Sequence, residues 1–152
     1  VIVAIDVKAD RLQKGAYAAL EAGLTNVFFL RARADQIDKL FSRYSIESIW
    51  INFADPYPKK RSAGRRLTHS TFIKKFQRIL KPDGILYLKH DHRDFFCWSL
   101  EQFVYMNWQI TELSFNLHQS SLRSDYKILT TYEQRWLNDR CQINFVAVKY
   151  IK

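Results

Sequence analysis

Four aspartates stand where apolar stretches give out. Asp6 follows Val1-Ile2-Val3-Ala4-Ile5, Asp35 comes soon after Val27-Phe28-Phe29-Leu30, Asp55 follows the stretch Ile46 to Phe53, and Asp91 follows Ile85 to Lys89. A carboxylate at the mouth of a buried strand accepts hydrogen bonds from hydroxyl or amino groups and can face a cation. Taken singly, each also reads as a helix cap or turn residue. Asp55 is the sharpest of the four. Pro56 removes a backbone donor and sets the next turn, and Pro58 stiffens the exit, so the carboxylate is held at the strand end. Lys59-Lys60-Arg61 follows at once and Arg65-Arg66 soon after, a cluster suited to phosphates.

The chain has 152 residues and a formal net charge of +9, with 47% hydrophobic and 26% charged residues. That length predicts a single domain over 1-152 with a sizeable core. Between Lys59 and Pro82 there are nine basic residues and no acidic one; the other 15 basic residues match the 15 acidic ones. An excess concentrated in this way is the electrostatic footprint of a polyanion partner, whereas Lys74, Lys75, Arg78 and Lys81, at helical spacing, read equally as a solvated helix face. No apolar run approaches the roughly 20 residues a membrane span needs, so no membrane partner and a cytoplasmic location are expected. Cys97 and Cys141 lack metal or redox spacing, and His69, His90, His92 and His118 form no ligand pattern with them, so no metal is expected.

Strands must position these carboxylates. The patterning predicts strands at Val1 to Ile5, Val27 to Leu30, Ile46 to Phe53 and Ile85 to Lys89. Helices are predicted at Ala9 to Ala22, around Ile37 to Phe41, at Thr68 to Leu80 with a threonine cap and a stop at Lys81-Pro82-Asp83-Gly84, and through Phe95 to Met106. Trp108 to Leu117 and Ile143 to Tyr150 alternate as an antiparallel strand pair finishing the sheet. Strands alternating with helices make an α/β doubly wound, mostly parallel sheet, in which Asp6, Asp35, Asp55 and Asp91 line one carboxyl edge. On such an edge Asp6 could accept both ribose hydroxyls of a nucleoside and Asp35 an adenine amino group, with Asp55 near the reacting end.

Asn52-Phe53-Ala54-Asp55-Pro56-Tyr57-Pro58-Lys59-Lys60-Arg61, Arg65-Arg66-Leu67-Thr68, Leu80-Lys81-Pro82-Asp83-Gly84, Leu88-Lys89-His90-Asp91 and Thr130-Thr131-Tyr132-Glu133, in this order, resemble the bacterial tRNA (guanine-N7-)-methyltransferases. The resemblance implies a Rossmann-like class I methyltransferase fold, S-adenosylmethionine as cofactor and tRNA as partner, with methyl transfer to N7 of a variable-loop guanosine. It places Asp6, Asp35 and Asp55 at the cofactor, Asp55 also in the catalytic position, and Lys59, Asp91, Thr130 and Glu133 at the substrate. Lys60, Arg61, Arg65 and Arg66 become RNA contacts, and a monomer or homodimer is expected.

Three positions depart from the family pattern, which usually has Glu at Asp6, Trp at Tyr57 and Thr at His90. The first strand and its glycine-rich turn, expected upstream of Val1, are absent from this sequence, so the chain reads as N-terminally truncated. Two other readings stay open: a non-catalytic RNA-binding or partner-supporting module, and an exocyclic-amine methyltransferase using Asp-Pro-Tyr-Pro.

Overall fold

The computed structural model describes residues 1–151 and divides the chain into two compact units, Val1–Phe41 and the part from Ser42 onward. In the first unit, β1 (Ile2–Asp6) and β2 (Val27–Arg31) form a two-stranded parallel sheet, with Ile2 opposite Val27 and Asp6 opposite Arg31. The crossover is α1 (Ala9–Glu21). It ends because Gly23 takes φ of 66°, letting the Leu24 and Gly23 amides bond the Ala19 and Leu20 carbonyls. A 3-10 turn at Ala34–Gln36 and the short α2 (Ile37–Leu40) follow β2.

The second unit is a four-stranded sheet in the order β3-β4-β6-β5, made of β3 (Ile46–Asn52), β4 (Leu80–His90), β5 (Trp108–Ser114) and β6 (Asn144–Tyr150). β4 runs parallel to β3, while β6 lies between β4 and β5 and is antiparallel to both. The helices are α3 (Ser70–Ile79), α4 (Arg93–Tyr105) and α5 (Thr131–Asn138). One sheet face carries Tyr87, Phe145 and Ala147 under Leu117, Leu122, Tyr126 and Trp136; Tyr126 stacks on Phe145 at 4.6 Å and Trp50 on Tyr87 at 4.2 Å. The alternate positions Leu86, Leu88, Val146 and Val148 are fully buried, as are Ile73 of α3 and Phe96 and Phe103 of α4. Each such side chain contributes about 1.5–3 kcal/mol by leaving water.

The α/β character, the parallel pairs and the antiparallel finish agree with the patterning. The hydrogen-bonded strands form the pair β1-β2 in the first unit and the four-stranded sheet in the second. Two local expectations are corrected. α3 is capped by His69, whose ring nitrogen accepts the Thr71 amide at 3.3 Å, while the Thr68 hydroxyl is buried against Ser99 at 2.7 Å. The helix also does not stop on a turn at Lys81 to Gly84. Leu80 is already extended, with φ −66° and ψ 138°, and pairs with Ile46, so β4 begins there. The register on β3 passes from Leu80 directly to Ile85, so Lys81 to Gly84 bulge out of the pairing with Asp83 at φ of 69°, and the irregularity between Ile46 and Ser48 accommodates them.

Candidate functional site

Asp55 sits three residues past the end of β3 in a turn built by other side chains. Phe53 has φ of 51° and Tyr57 φ of 40°, left-handed values unusual for aromatic residues. Such strain persists only where surroundings over-determine it. Three sets of bonds do so. The Asp55 Oδ1 accepts the Tyr57 amide at 3.0 Å, which sets the carboxylate in an Asx turn. Arg66 donates from Nε to the Pro56 carbonyl at 3.0 Å and from Nη2 to the Tyr57 carbonyl at 3.0 Å, and its guanidinium lies 4.4 Å from the centre of the Trp98 ring. His90, at the end of β4, donates from Nε2 to the Ala54 carbonyl at 2.7 Å.

The tautomer of His90 follows from its other nitrogen. Nδ1 accepts the His92 amide at 2.9 Å, so the proton is on Nε2. Burial lowers the pKa of the ring from its ordinary 6.5, against the Ala54 bond and the Asp91 and Asp55 charges, which raise it. His90 is therefore neutral at pH 7 and ties β4 to the residue before Asp55. His92 in turn caps α4, its Nδ1 accepting the Phe95 amide at 3.2 Å. Asp91 lies beside this pair, its Oδ1 3.3 Å from His90 Nδ1.

The start of α5 reaches the same edge. Thr130 and Glu133 close a capping box: the Thr130 hydroxyl accepts the Glu133 amide at 3.2 Å, and Glu133 Oε2 accepts the Thr130 amide at 2.8 Å. Glu133 Oε1 accepts from Lys89 Nζ at 2.9 Å and lies 3.3 Å from His118 Nε2. Lys89 also donates to the Ile128 carbonyl at 3.1 Å. Glu133 and Lys89 are both buried, so this ion pair bolts α5 to the end of β4. The Phe53 ring lies 6.3 Å from the His90 ring and 6.5 Å from that of Tyr132.

The structure thus brings Asp55, Asp91, Thr130 and Glu133 to the carboxyl end of β3 and β4. Lys59, Lys60, Arg61 and Arg65 are exposed, the last three on a 3-10 turn at Lys60–Arg65, but Arg66 is buried beneath the Asp55 turn. In the first unit, Asp6 ends β1, its Oδ1 accepting the Lys8 amide at 2.9 Å with Arg11 3.5 Å from Oδ2; Asp35 is exposed beside Arg33 at 3.1 Å. Among the described residues no group of His, Cys, Asp and Glu could hold a metal ion, and no helix is long and apolar enough to cross a membrane.

Comparison with known proteins decides the family. A family model described as "Putative methyltransferase" matches residues 1–145. The tRNA (guanine-N(7)-)-methyltransferase of Cytophaga hutchinsonii is 34% identical over 152 residues, covering 98% of this chain and 69% of that protein. The chain belongs to the tRNA (guanine-N7-)-methyltransferase family. The enzyme of that name from Brevibacillus brevis is 34% identical over 134 residues, and there the match spans 88% of this chain but 62% of the relative, so the chain covers about three-fifths of that family member's length. An rRNA methylase structure from Streptococcus thermophilus superposes with a TM-score of 0.61 at 14% identity, over 99% of this chain and 73% of that one, which shows a shared methyltransferase fold.

Against that family background, Trp98 and the buried role of Arg66 were missed in the sequence. Arg66 stands in a run of basic residues and nothing local separates it from Arg65. His90 had a signal, since it replaces the threonine usual in the family, but its bond to Ala54 spans 36 positions.

Proposed function

We propose that this chain carries the substrate-facing part of an S-adenosylmethionine-dependent tRNA (guanine-N7-)-methyltransferase, acting on a variable-loop guanosine of tRNA. The observation that supports it best is the built turn around Asp55, in a chain of this family. The carboxylates fit the adenosine half of the cofactor by their chemistry: Asp6 at the end of β1 and Asp35 on the 3-10 turn after β2 are acceptors, suited to ribose hydroxyls and an amino group.

When bound, the cofactor supplies an electrophilic methyl on a sulfonium. Guanine N7 has a free lone pair, so no general base is required and the protein's task is alignment. Asp55 is assigned the catalytic position and a cofactor contact, with its turn held by Arg66 and His90. Lys59, Asp91 and Thr130 are assigned to the substrate, and Glu133, wholly buried, acts through the cap it closes on Thr130. Lys60, Arg61 and Arg65 are assigned to phosphates. A cytoplasmic monomer or homodimer completes the proposal.

The test is methyl transfer from labelled S-adenosylmethionine to tRNA, with the modified atom mapped by mass spectrometry of digested RNA. Asp55→Asn is expected to lower turnover by at least ~100-fold with the thermal melt unchanged. Equal turnover would remove Asp55 from the chemistry, and an amino-group product would favour the exocyclic-amine reading. The basic run from Lys59 to Arg66 also fits a second reading, a non-catalytic RNA-binding module; titration calorimetry with S-adenosylmethionine separates the two, because that module gives no binding heat.

A further inference from the structure

The opposite end of the second unit's sheet carries a feature the Asp55 edge does not use. A cavity of about 600 Å³ opens where β3 and β4 begin, lined by Arg43, Tyr44, Lys74, Arg78, Lys81 and Asp83 among others. Lys74, Arg78 and Lys81 come from one helical face and its continuation, and Arg43 arrives from the segment before β3. The Tyr44 amide bonds the Arg78 carbonyl at 3.2 Å, which fastens that segment to the end of α3. Arg43 lies over the Tyr44 ring at 4.8 Å and donates to its hydroxyl at 3.0 Å, so its guanidinium is oriented within the cavity wall. Asp83 is paired with Lys149 at 2.5 Å, which offsets its charge.

Cations near a helix C-terminus offset the helix dipole, and one or two would serve that purpose. Four around a concave surface, two of them arginines able to grip phosphate oxygens with a fork of donors, exceed it. We infer that this cavity is a second phosphate-binding site that holds the RNA backbone far from the reacting base. β3 measures the separation: its Ile46 pairs with Leu80 and its Asn52 with Lys89, and six steps at ~3.3 Å per residue put the cavity end about 20 Å from the Asp91 end. A compact RNA fold of tRNA size can touch both ends, and a stem-loop only a few base pairs long cannot. The sheet would act as a ruler that favours a folded RNA over a fragment. This inference rests on tRNA being the substrate.

The experiment compares the full chain with a Lys74→Ala/Lys81→Ala variant, both sites being exposed. Binding of whole tRNA and of an isolated variable-arm hairpin is followed by fluorescence anisotropy across a salt series. Each lost phosphate contact should reduce the slope of log affinity against log salt by about 0.7–0.9, so the variant's slope for tRNA falls by roughly 1.4–1.8 while its hairpin slope stays unchanged. An unchanged tRNA slope would overturn the second site and leave the proposed function standing. Equal losses for tRNA and hairpin would overturn it too, since the cavity would then act only through general charge. Absence of tRNA binding by the unaltered chain would bring down both readings.

Discussion

Arg66 shows how a residue's chemistry depends on where its donors end up. Its guanidinium is buried, spends its donors on the Pro56 and Tyr57 carbonyls and stacks on Trp98. Lysine cannot reproduce that fork. Arg66→Lys should therefore lower kcat for methyl transfer and leave the salt slope of RNA binding unchanged, while costing about 2–3 kcal/mol of stability. A kcat equal to the parent's would detach Arg66 from the Asp55 turn. His90 carries a pH dependence. Burial sets its folded pKa below the ordinary 6.5, so the unfolded chain takes up the proton first as pH falls. The stability tied to neutral His90 is complete above about pH 6.5 and drains away below it, moderated by Asp91 and Asp55 and reinforced by His92. Melting temperatures measured from pH 7.5 down to 5.5 should decline more for the parent than for His90→Gln; parallel curves would show that His90 is not the titrating group.

Among the elements, α5 and β4 are joined by one buried ion pair, Lys89 with Glu133 at 2.9 Å. Removing a single partner leaves an uncompensated buried charge, which costs about 3–5 kcal/mol. Lys89→Met should destabilise by that much in urea unfolding, and Lys89→Met with Glu133→Gln should recover a substantial part. A double variant no better than the single one would mean that packing, not charge, carries the loss. Helix and strand identities were legible at this scale, because 3.6-residue and two-residue periodicities survive in α3 and β5. The caps were not. His69 and His92 cap α3 and α4 with ring nitrogens, a use outside the usual Ser, Thr, Asp and Asn preference.

Over the whole molecule, charge was the most legible property. The window from Lys59 to Pro82 holds the entire excess of +9. The fold then sorts that window to different places. Lys60, Arg61 and Arg65 go to the turn after Asp55, Arg66 goes inside, and Lys74, Arg78 and Lys81 go to the far end of the sheet. The first unit holds a two-stranded parallel sheet and the second a four-stranded mixed one, and no window of sequence displays that pairing.

Read by itself, the chain determined its strand ends, its run of aspartates, its focused charge and, through its motifs, its family. These are local facts, set by periodicity, by proline and by residue type over a few positions. Tertiary structure alone decided which side chains hold Asp55. Ala54 meets His90 across 36 positions, Pro56 meets Arg66 across 10, and Lys89 meets Glu133 across 44. Such pairs are chosen by which buried donors and acceptors must satisfy one another once water is gone, and that accounting exists only in the folded chain.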